Sequence, residues 1–239
     1  KTPWVRMKIA ASLDGQTALA NGASQWITGS AARTDGHAWR ARSCAVLTGI
    51  GTVLQDDPLL DVRHVETPRQ PHRVIVDSKL EAPLGAKLFS TLGKRALVGE
   101  KFGLSQEVVE SIAGRSLLIY AAVPNDAKQR ALEALGATVV YLPEKGSGHA
   151  SQNNPSNKKV DLAAMLRDLG QREINELHVE AGFKLNGSLL KAGVVDELLV
   201  YSAPKLLGPG MGMANLPALA TLGEAVQLDF KSAEMVGED

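Results

Sequence analysis

Short apolar runs rich in Val, Ile and Leu recur along the chain and alternate with segments of helical pattern. The predicted strands are Val5–Ala11, Cys44–Thr48, Val74–Asp77, Ala96–Gly99, Leu117–Ala121, Thr138–Leu142, Leu177–Glu180 and Leu198–Ala203. Strands that alternate with helices indicate a largely parallel sheet covered by helices on both faces. With 239 residues, 44% of them hydrophobic, the chain is long enough for one large α/β domain.

Capping residues and glycines mark the predicted helices. They run from Ser30 to Arg42, from Asn125 or Asp126 to near Gly136, over Val160–Leu169, and from the Gly182 turn to Gly193. The alternation in Val226–Met235 predicts an antiparallel edge hairpin at the C-terminus. The polar run Pro143–Lys159 predicts a surface loop, with a functional lid as the less favoured alternative.

The charge balance argues against nucleic-acid and membrane partners. Positive and negative residues number 26 each, so there is no overall basic field, and no apolar stretch approaches the ~20 residues of a membrane helix. Cys44 lies in an apolar run and is interpreted as a core residue, which fits a reducing cytoplasm. The five histidines share no spacing with carboxylates that defines a metal site, so no metal is predicted.

The first predicted strand carries an unexpected charge. Lys8 interrupts its apolar pattern, Asp14-Gly15 then supplies turn chemistry, and Ser24–Gly29 concentrates small polar groups beside Trp26. A stretch built only for packing seldom has this composition. Lys8 is therefore a candidate functional residue, although a strand lysine can also extend its ammonium to solvent.

Two glycine-rich turns follow predicted strands. Gly182 and Gly187-Ser188 bracket a helix start, where free N–H groups and the positive helix end suit a phosphate; close packing is the alternative. Thr48–Thr52 offers a second such turn. Neither is followed by the acidic ribose partner of the dinucleotide fingerprint, so a Rossmann domain is disfavoured.

Several motifs in order resemble one known family. Lys8–Gly15, Ser24–Gly29, Leu54–Pro58 with Arg63, Val179–Gly182 and Pro204–Gly208 look together like the reductase domain of the bifunctional riboflavin-biosynthesis deaminase/reductase, from about Trp4 to the C-terminus. The resemblance implies a dihydrofolate-reductase-like fold and a single reductase domain over 1–239. It also implies a missing N-terminal zinc deaminase, since one cysteine cannot supply that domain's Pro-Cys-x-x-Cys signature. The C-terminus is predicted to be truncated.

The resemblance implies an activity: NADPH-dependent reduction of 5-amino-6-(5-phosphoribosylamino)uracil in riboflavin biosynthesis, with hydride delivered to carbon 1 of the ribose. Positions that match the family's substrate contacts are Ser24, Thr28, Arg40, Leu60, Arg63 and Glu180. Positions that match its NADPH contacts are Ala10, Trp26, Thr52, Asp56, Ser78, Gly182, Phe183, Lys184, Leu185, Asn186, Gly187 and Ser188. The candidate catalytic residues are Lys8, Asp56 and Glu180.

The residue types suit those roles. Arg40 and Arg63 can give paired, charge-assisted hydrogen bonds to a substrate phosphate, although surface charge explains most arginines. Glu180 ends an apolar strand, where carboxylates rarely lie without partners. Lys8 with Asp56 can polarise a carbonyl or imine as hydride arrives, and Asp56 can alternatively cap a turn.

Two other functions stay open at this point. A dihydrofolate-reductase-type enzyme would share the fold and cofactor, and a catalytically silent NADPH-binding regulatory domain would share the cofactor without turnover. The arginine pair argues against the first, and Lys8, Asp56 and Glu180 together argue against the second. The resemblance further implies a homodimer, with Val195–Tyr201 as a candidate interface, and a cytoplasmic location.

Overall fold

The computed structural model describes residues 1–90, 116–145 and 158–239. Its strands are β1 (Trp4–Ser12), β2 (Gln16–Leu19), β3 (Ala45–Gly49), β4 (His72–Val76), β5 (Leu117–Ala121), β6 (Ala137–Tyr141), β7 (Glu176–Val179), β8 (Glu197–Ala203) and β9 (Gly210–Gly212). Its helices are α1 (Ser30–Arg42), α2 (Ile50–Asp56), α3 (Asp126–Ala134), α4 (Leu162–Gln171) and α5 (Phe183–Lys191). Single 3-10 turns occur at Lys87–Phe89 and Leu222–Glu224.

Seven of these strands form one sheet in the order β6-β5-β4-β3-β7-β1-β8. Each neighbouring pair is parallel, as expected when helices connect successive strands. The predicted α/β fold with a mostly parallel sheet is therefore confirmed. Because all seven strands run the same way, their carboxyl ends meet at one edge, where ligands bind in open α/β sheets.

Two hydrophobic cores cover the two faces of the sheet. On one face, Met7 and Val179 pack with Met165 and Leu169 of α4 and Leu189 of α5. On the other face, Ile75 and Ile119 pack with Val53 of α2 and Leu132 of α3. The alternation of buried positions along each strand assigns the faces, so helices lie on both sides as predicted.

The antiparallel pair was predicted in the wrong place. It joins β2 to β9, and Val226–Met235 forms no strand in the structure. Gly210 lies so close to β2 that a Cβ at this position would collide with the Ala18 carbonyl. Glycine is therefore required for this pairing. The alternation of apolar and polar residues along 226–235 does not determine which strand would pair with this segment. In the structure its apolar side chains are not covered, and Phe230 is 97% exposed.

The remaining predicted elements fall near their expected positions or outside the described residues. Asn125 caps α3 and Asp161 caps α4, each through its side-chain oxygen. Helix α4 continues past Gly170 to Gln171, because that glycine serves the close approach of the Lys1 carbonyl rather than a helix end. The predicted strand Ala96–Gly99 and most of the predicted loop Pro143–Lys159 lie outside the described residues.

Candidate functional site

A row of charged side chains crosses one face of the sheet beneath α1. Arg6 pairs in register with His178, and Met7 pairs with Val179. Continuing that register brings Lys8 of β1 level with Glu180, the first residue after β7. Because side chains alternate between faces, these charged residues share one face while Met7 and Val179 enter the core on the other. The sheet therefore brings the two predicted catalytic residues Lys8 and Glu180 together.

Glu180 is bound by Arg40 of α1 in a bidentate ion pair. Arg40 Nε donates to Glu180 Oε1 at 2.5 Å, and Arg40 Nη2 donates to Oε2 at 2.8 Å. Burial alone would raise the pKa of Glu180, but Arg40, His178 and Lys8 bring that pKa well below its usual range. Glu180 is therefore a carboxylate, and Arg40 fixes its orientation.

The Lys8 ammonium lies beside this pair without joining it. It forms no hydrogen bond or ion pair with any residue in the described parts of the chain, and it lies 5.3 Å from the centre of the Tyr201 ring. Burial lowers the pKa of Lys8; Glu180 partly offsets this, and Arg40 adds to the lowering. A partly desolvated amine with free donors can interact with a bound substrate.

Tyr201, whose ring lies near the Lys8 ammonium, is held by Asp35. The Tyr201 hydroxyl donates to Asp35 Oδ2 at 2.5 Å, and the Trp39 indole donates to the same oxygen at 3.2 Å. Burial, followed by the hydrogen bond to Asp35 and its charge, raises the pKa of Tyr201. Tyr201 therefore stays protonated and presents its ring to the ammonium.

The second predicted arginine, Arg63, lies nearer to solvent. Its Nη1 donates to Asp61 Oδ1 at 2.6 Å, and its backbone N–H donates to His37 Nδ1 at 3.3 Å. Burial, followed by the charges of Arg40 and Arg63, lowers the pKa of His37 to about 4. Arg40 is largely engaged by Glu180 and by the Asp61 carbonyl, so Arg63 is the more available of the two arginines.

The two glycine turns meet at neighbouring strands. Gly49 precedes α2 and Gly182 precedes α5, and neither helix start has a side-chain cap. A Cβ on Gly182 would lie 3.7 Å from Thr52 Oγ1, and one on Gly49 would lie 3.1 Å from Leu185. The structure thus brings together Gly182, Thr52 and the free N–H groups of α5, a combination that fits a phosphate.

The rest of the Gly182–Ser188 segment is helical, and part of it packs inward. A Cβ on Gly187 would collide with the backbone of Asn215, and buried Asn186 donates to the Met213 carbonyl at 3.0 Å. Phe183 accepts a backbone hydrogen bond from Asn215. The structure therefore offers a packing explanation for Asn186 and Gly187, and the start of the helix is the stronger candidate for ligand contact.

The Ser24–Gly29 segment is held by Lys205, which follows β8. Lys205 Nζ donates to the carbonyls of Ile27 at 2.7 Å and Trp26 at 3.3 Å. The Trp26 side chain is 64% exposed, and the Arg33 guanidinium stacks 4.7 Å from its ring. Thr28 is buried, whereas Ser24 is only partly covered. Packing does not explain so exposed an indole, which leaves Trp26 open to a ligand.

The positions of the other predicted site residues give less information about ligand binding. Asp56 is the exposed last residue of α2, and no hydrogen bond or ion pair joins it to Lys8 within the described residues. Burial raises the pKa of Asp56. Leu60 is buried with a left-handed backbone, φ 53°, which is unusual for leucine. Ala10 lies on β1, and the Ser78 carbonyl accepts two N–H groups of the chain that follows β5.

Sequence reasoning missed several residues of this site. Asp35, His37 and Tyr201 contact it through tertiary packing, and no local pattern marks them. Lys205 lies in the Pro204–Gly208 motif, but it was not predicted as a site residue. His178 is different, because its spacing of two from Glu180 on a strand already predicts that both side chains share a face. That signal was available in the sequence.

The described residues offer neither a metal-binding cluster nor a membrane-spanning helix. In those residues no group of three or more His, Cys, Asp and Glu side chains is arranged to hold a metal ion. No helix of the described parts has both the length and the apolar character required to cross a bilayer.

Comparisons with known proteins show which family this chain resembles. The model of the RibD C-terminal domain matches residues 3–239. The riboflavin biosynthesis protein RibD of Escherichia coli is 37% identical over 250 residues, which cover 99% of this chain and 58% of that protein. A Buchnera aphidicola protein named 5-amino-6-(5-phosphoribosylamino)uracil reductase is 29% identical over 234 residues, covering 92% of this chain and 95% of that protein.

A solved structure has a similar fold. Acinetobacter baumannii RibD matches with a TM-score of 0.75 at 31% identity, over 99% of this chain and 56% of that one. The chain thus spans somewhat more than half the length of the RibD proteins it matches. The matched region extends over nearly all of this sequence. The chain belongs to the RibD C-terminal domain family.

Proposed function

We propose that this chain reduces 5-amino-6-(5-phosphoribosylamino)uracil to the 5-phosphoribitylamino product with NADPH, as a step of riboflavin biosynthesis. Its family membership supports a pyrimidine reductase, and the Buchnera aphidicola relative that carries this activity in its name is covered almost completely by the match. The single observation that carries the proposal is the Lys8 ammonium, which lies beside the Arg40–Glu180 pair and has no hydrogen-bond partner among the described residues.

The proposed reaction opens the ribose ring. Hydride adds to carbon 1, the bond between carbon 1 and the ring oxygen breaks, and that oxygen takes up a proton to become a hydroxyl. Negative charge develops on the oxygen as the bond breaks. Lys8 is the available cation for that charge, and its lowered pKa makes it a better proton donor than an exposed lysine.

Glu180 and Arg63 would hold the substrate. Glu180 is charged and fixed by Arg40, so it can accept hydrogen bonds from N–H groups of the pyrimidine without reorganising. Arg63 is about half exposed and can turn from Asp61 towards a substrate phosphate. Thr28, Leu60 and Ser24 would complete the substrate site, with Asp56 as a further candidate near the reacting carbon.

NADPH would bind where β3 and β7 end, beside the proposed substrate site. The uncapped start of α5 at Gly182 offers N–H donors and a positive helix end, and Thr52 Oγ1 adds a hydroxyl beside it. Trp26, Ala10 and Ser78 are further candidates for contact with NADPH. When bound, NADPH supplies the hydride. The residues of this chain would position it and exclude water from the reacting carbon.

The proposal includes the context of the whole protein. We assign 1–239 to one reductase domain that works with a zinc deaminase domain in a longer chain, in the cytoplasm. For a homodimer, β8 is the edge strand of the sheet and Val200 is 41% exposed there, which is consistent with an interface at Val195–Tyr201.

The test is an assay of NADPH oxidation with purified protein and the deaminated phosphoribosyl pyrimidine. The proposal predicts oxidation that depends on that substrate, with NADH and dihydrofolate as comparison reactants. Turnover of dihydrofolate alone would identify a dihydrofolate-reductase-type enzyme. Tight NADPH binding with no turnover of either substrate would identify a silent binding domain.

A further inference from the structure

His178 is a buried histidine in direct contact with the candidate site. Its side chain is fully buried on β7, and its Nε2 lies 3.3 Å from Glu180 Oε1. Neither ring nitrogen has an aligned hydrogen-bond partner among the described residues. Buried polar groups normally find partners, so the location of this ring calls for an explanation.

The neighbouring carboxylate decides which ring nitrogen carries the proton. Glu180 is charged because Arg40 holds its pKa low despite burial. A lone pair on Nε2 facing that carboxylate would be repelled, whereas an N–H group would be attracted. The 3.3 Å separation is already within hydrogen-bond range, so a rotation of the ring, without any closer approach, would align Nε2–H with Oε1.

We infer that His178 is a positioning residue that donates from Nε2–H to Glu180 Oε1 and thereby fixes the carboxylate that faces the substrate. This inference rests on the proposed function for its consequence on catalysis. Arg40 approaches Glu180 from α1 above the sheet, whereas His178 lies two residues before Glu180, on β7. Contacts from two directions restrict the carboxylate more than Arg40 alone can.

The tautomer can be measured without any activity. Two-bond proton–nitrogen NMR spectra of the wild-type protein, labelled with nitrogen-15 in histidine, report which ring nitrogen carries hydrogen; a His178→Gln spectrum identifies the signal. At pH 8 we expect His178 as the Nε2–H tautomer. A neutral ring protonated at Nδ1 would overturn the inference, whether or not the protein proves to be a reductase.

Two substitutions test the consequence for the substrate. The amide nitrogen of glutamine reaches the position of histidine Nε2, whereas that of asparagine reaches only the position of Nδ1. We expect His178→Gln to keep a KM for the pyrimidine substrate near the wild-type value. We expect His178→Asn to raise that KM about tenfold, the size of one lost hydrogen bond to a charged group.

The remaining readouts separate positioning from general damage. The KM for NADPH should stay unchanged in both variants, and both should retain the wild-type circular dichroism spectrum. Equal effects of the two substitutions on the pyrimidine KM, or equal losses for both ligands, would overturn the positioning role. If the wild type turns over no substrate, the proposed function fails, and the tautomer measurement still decides the assignment of Nε2–H.

Discussion

Arg40 and Glu180 are 140 residues apart in sequence and form a buried bidentate ion pair, with nitrogen–oxygen distances of 2.5 and 2.8 Å. The pair joins α1 to the carboxyl end of β7, an interior strand of the sheet. Removing one partner of such a pair leaves a buried charge without compensation. The same contact therefore affects both stability and substrate positioning.

The first prediction concerns stability and pH. Because the folded pKa of Glu180 lies below its unfolded value, its ionisation stabilises the fold above the usual glutamate range. That contribution is lost as the pH falls through about 4 towards the folded pKa. At pH 7, Glu180→Gln should lower the free energy of unfolding by roughly 3–5 kcal/mol, the usual cost of breaking one side of a buried pair.

Urea unfolding at a series of pH values checks this. The difference between wild type and Glu180→Gln should shrink as the pH is lowered from neutral towards about 3. Glu234→Gln, at an exposed position, serves as the matched control and should follow the wild type. A constant difference across that range would show that the ionisation of Glu180 does not contribute.

The second prediction concerns the substrate phosphate. Arg63→Ala should weaken binding of the phosphoribosyl pyrimidine by about 1–3 kcal/mol, because a charge-assisted contact is lost, and should leave NADPH affinity unchanged. Calorimetry with each ligand measures both affinities. Arg130→Ala, on the exposed side of α3, is the control. The assignment fails if Arg63→Ala weakens binding of the dephosphorylated substrate as much as binding of the phosphorylated one.

The third prediction concerns the start of α5. Gly182→Val places a branched side chain against Thr52 Oγ1, where a phosphate would approach the free N–H groups. The dissociation constant for NADPH should rise about tenfold or more, since charged hydrogen bonds are lost. Gly85→Val, at a position with open space around it, should bind NADPH normally. Normal binding by a folded Gly182→Val would assign this turn to packing alone.

Local pattern was sufficient to predict most of the fold. Apolar runs predicted the seven strands of the parallel sheet within one or two residues, and Asn125 marked a helix start that the structure confirms. A helix over Val160–Leu169 was also predicted, but its cap Asp161 was not. The prediction of a hairpin at Val226–Met235 was wrong. Alternation of apolar and polar residues indicates which side chains share a face, but it does not determine which strand pairs with the segment. The partner of β2 proved to be Gly210–Gly212, a segment of three residues with no strand signal of its own.

The sequence predicted several residues of the site, but it did not predict most of the contacts between them. Lys8 and Glu180 stood out as charges in apolar strands, and the register of β1 and β7 brings them together. The pairing of Arg40 with Glu180 was not predictable, because it depends on how α1 crosses the sheet. Asp56 was predicted to act together with Lys8. Within the described residues, no hydrogen bond or ion pair joins the two side chains.

The fourth prediction concerns Lys8. Lys8→Met keeps the apolar stem and removes a charge whose pKa burial lowers, so the variant should be at least as stable as the wild type at pH 7. It should bind NADPH normally but transfer hydride much more slowly in single-turnover experiments, with a primary deuterium isotope effect. Wild-type rates in this variant would remove Lys8 from the mechanism.

The central claim is that hydride passes from NADPH to carbon 1 of the substrate's ribose. The most direct measurement uses the wild-type protein, the phosphoribosyl pyrimidine, and NADPH that carries deuterium at both positions of nicotinamide carbon 4. Mass spectrometry and proton NMR of the product should show one deuterium on carbon 1 of the ribityl chain. An unlabelled product, or no product from a protein that binds both ligands, would contradict the account.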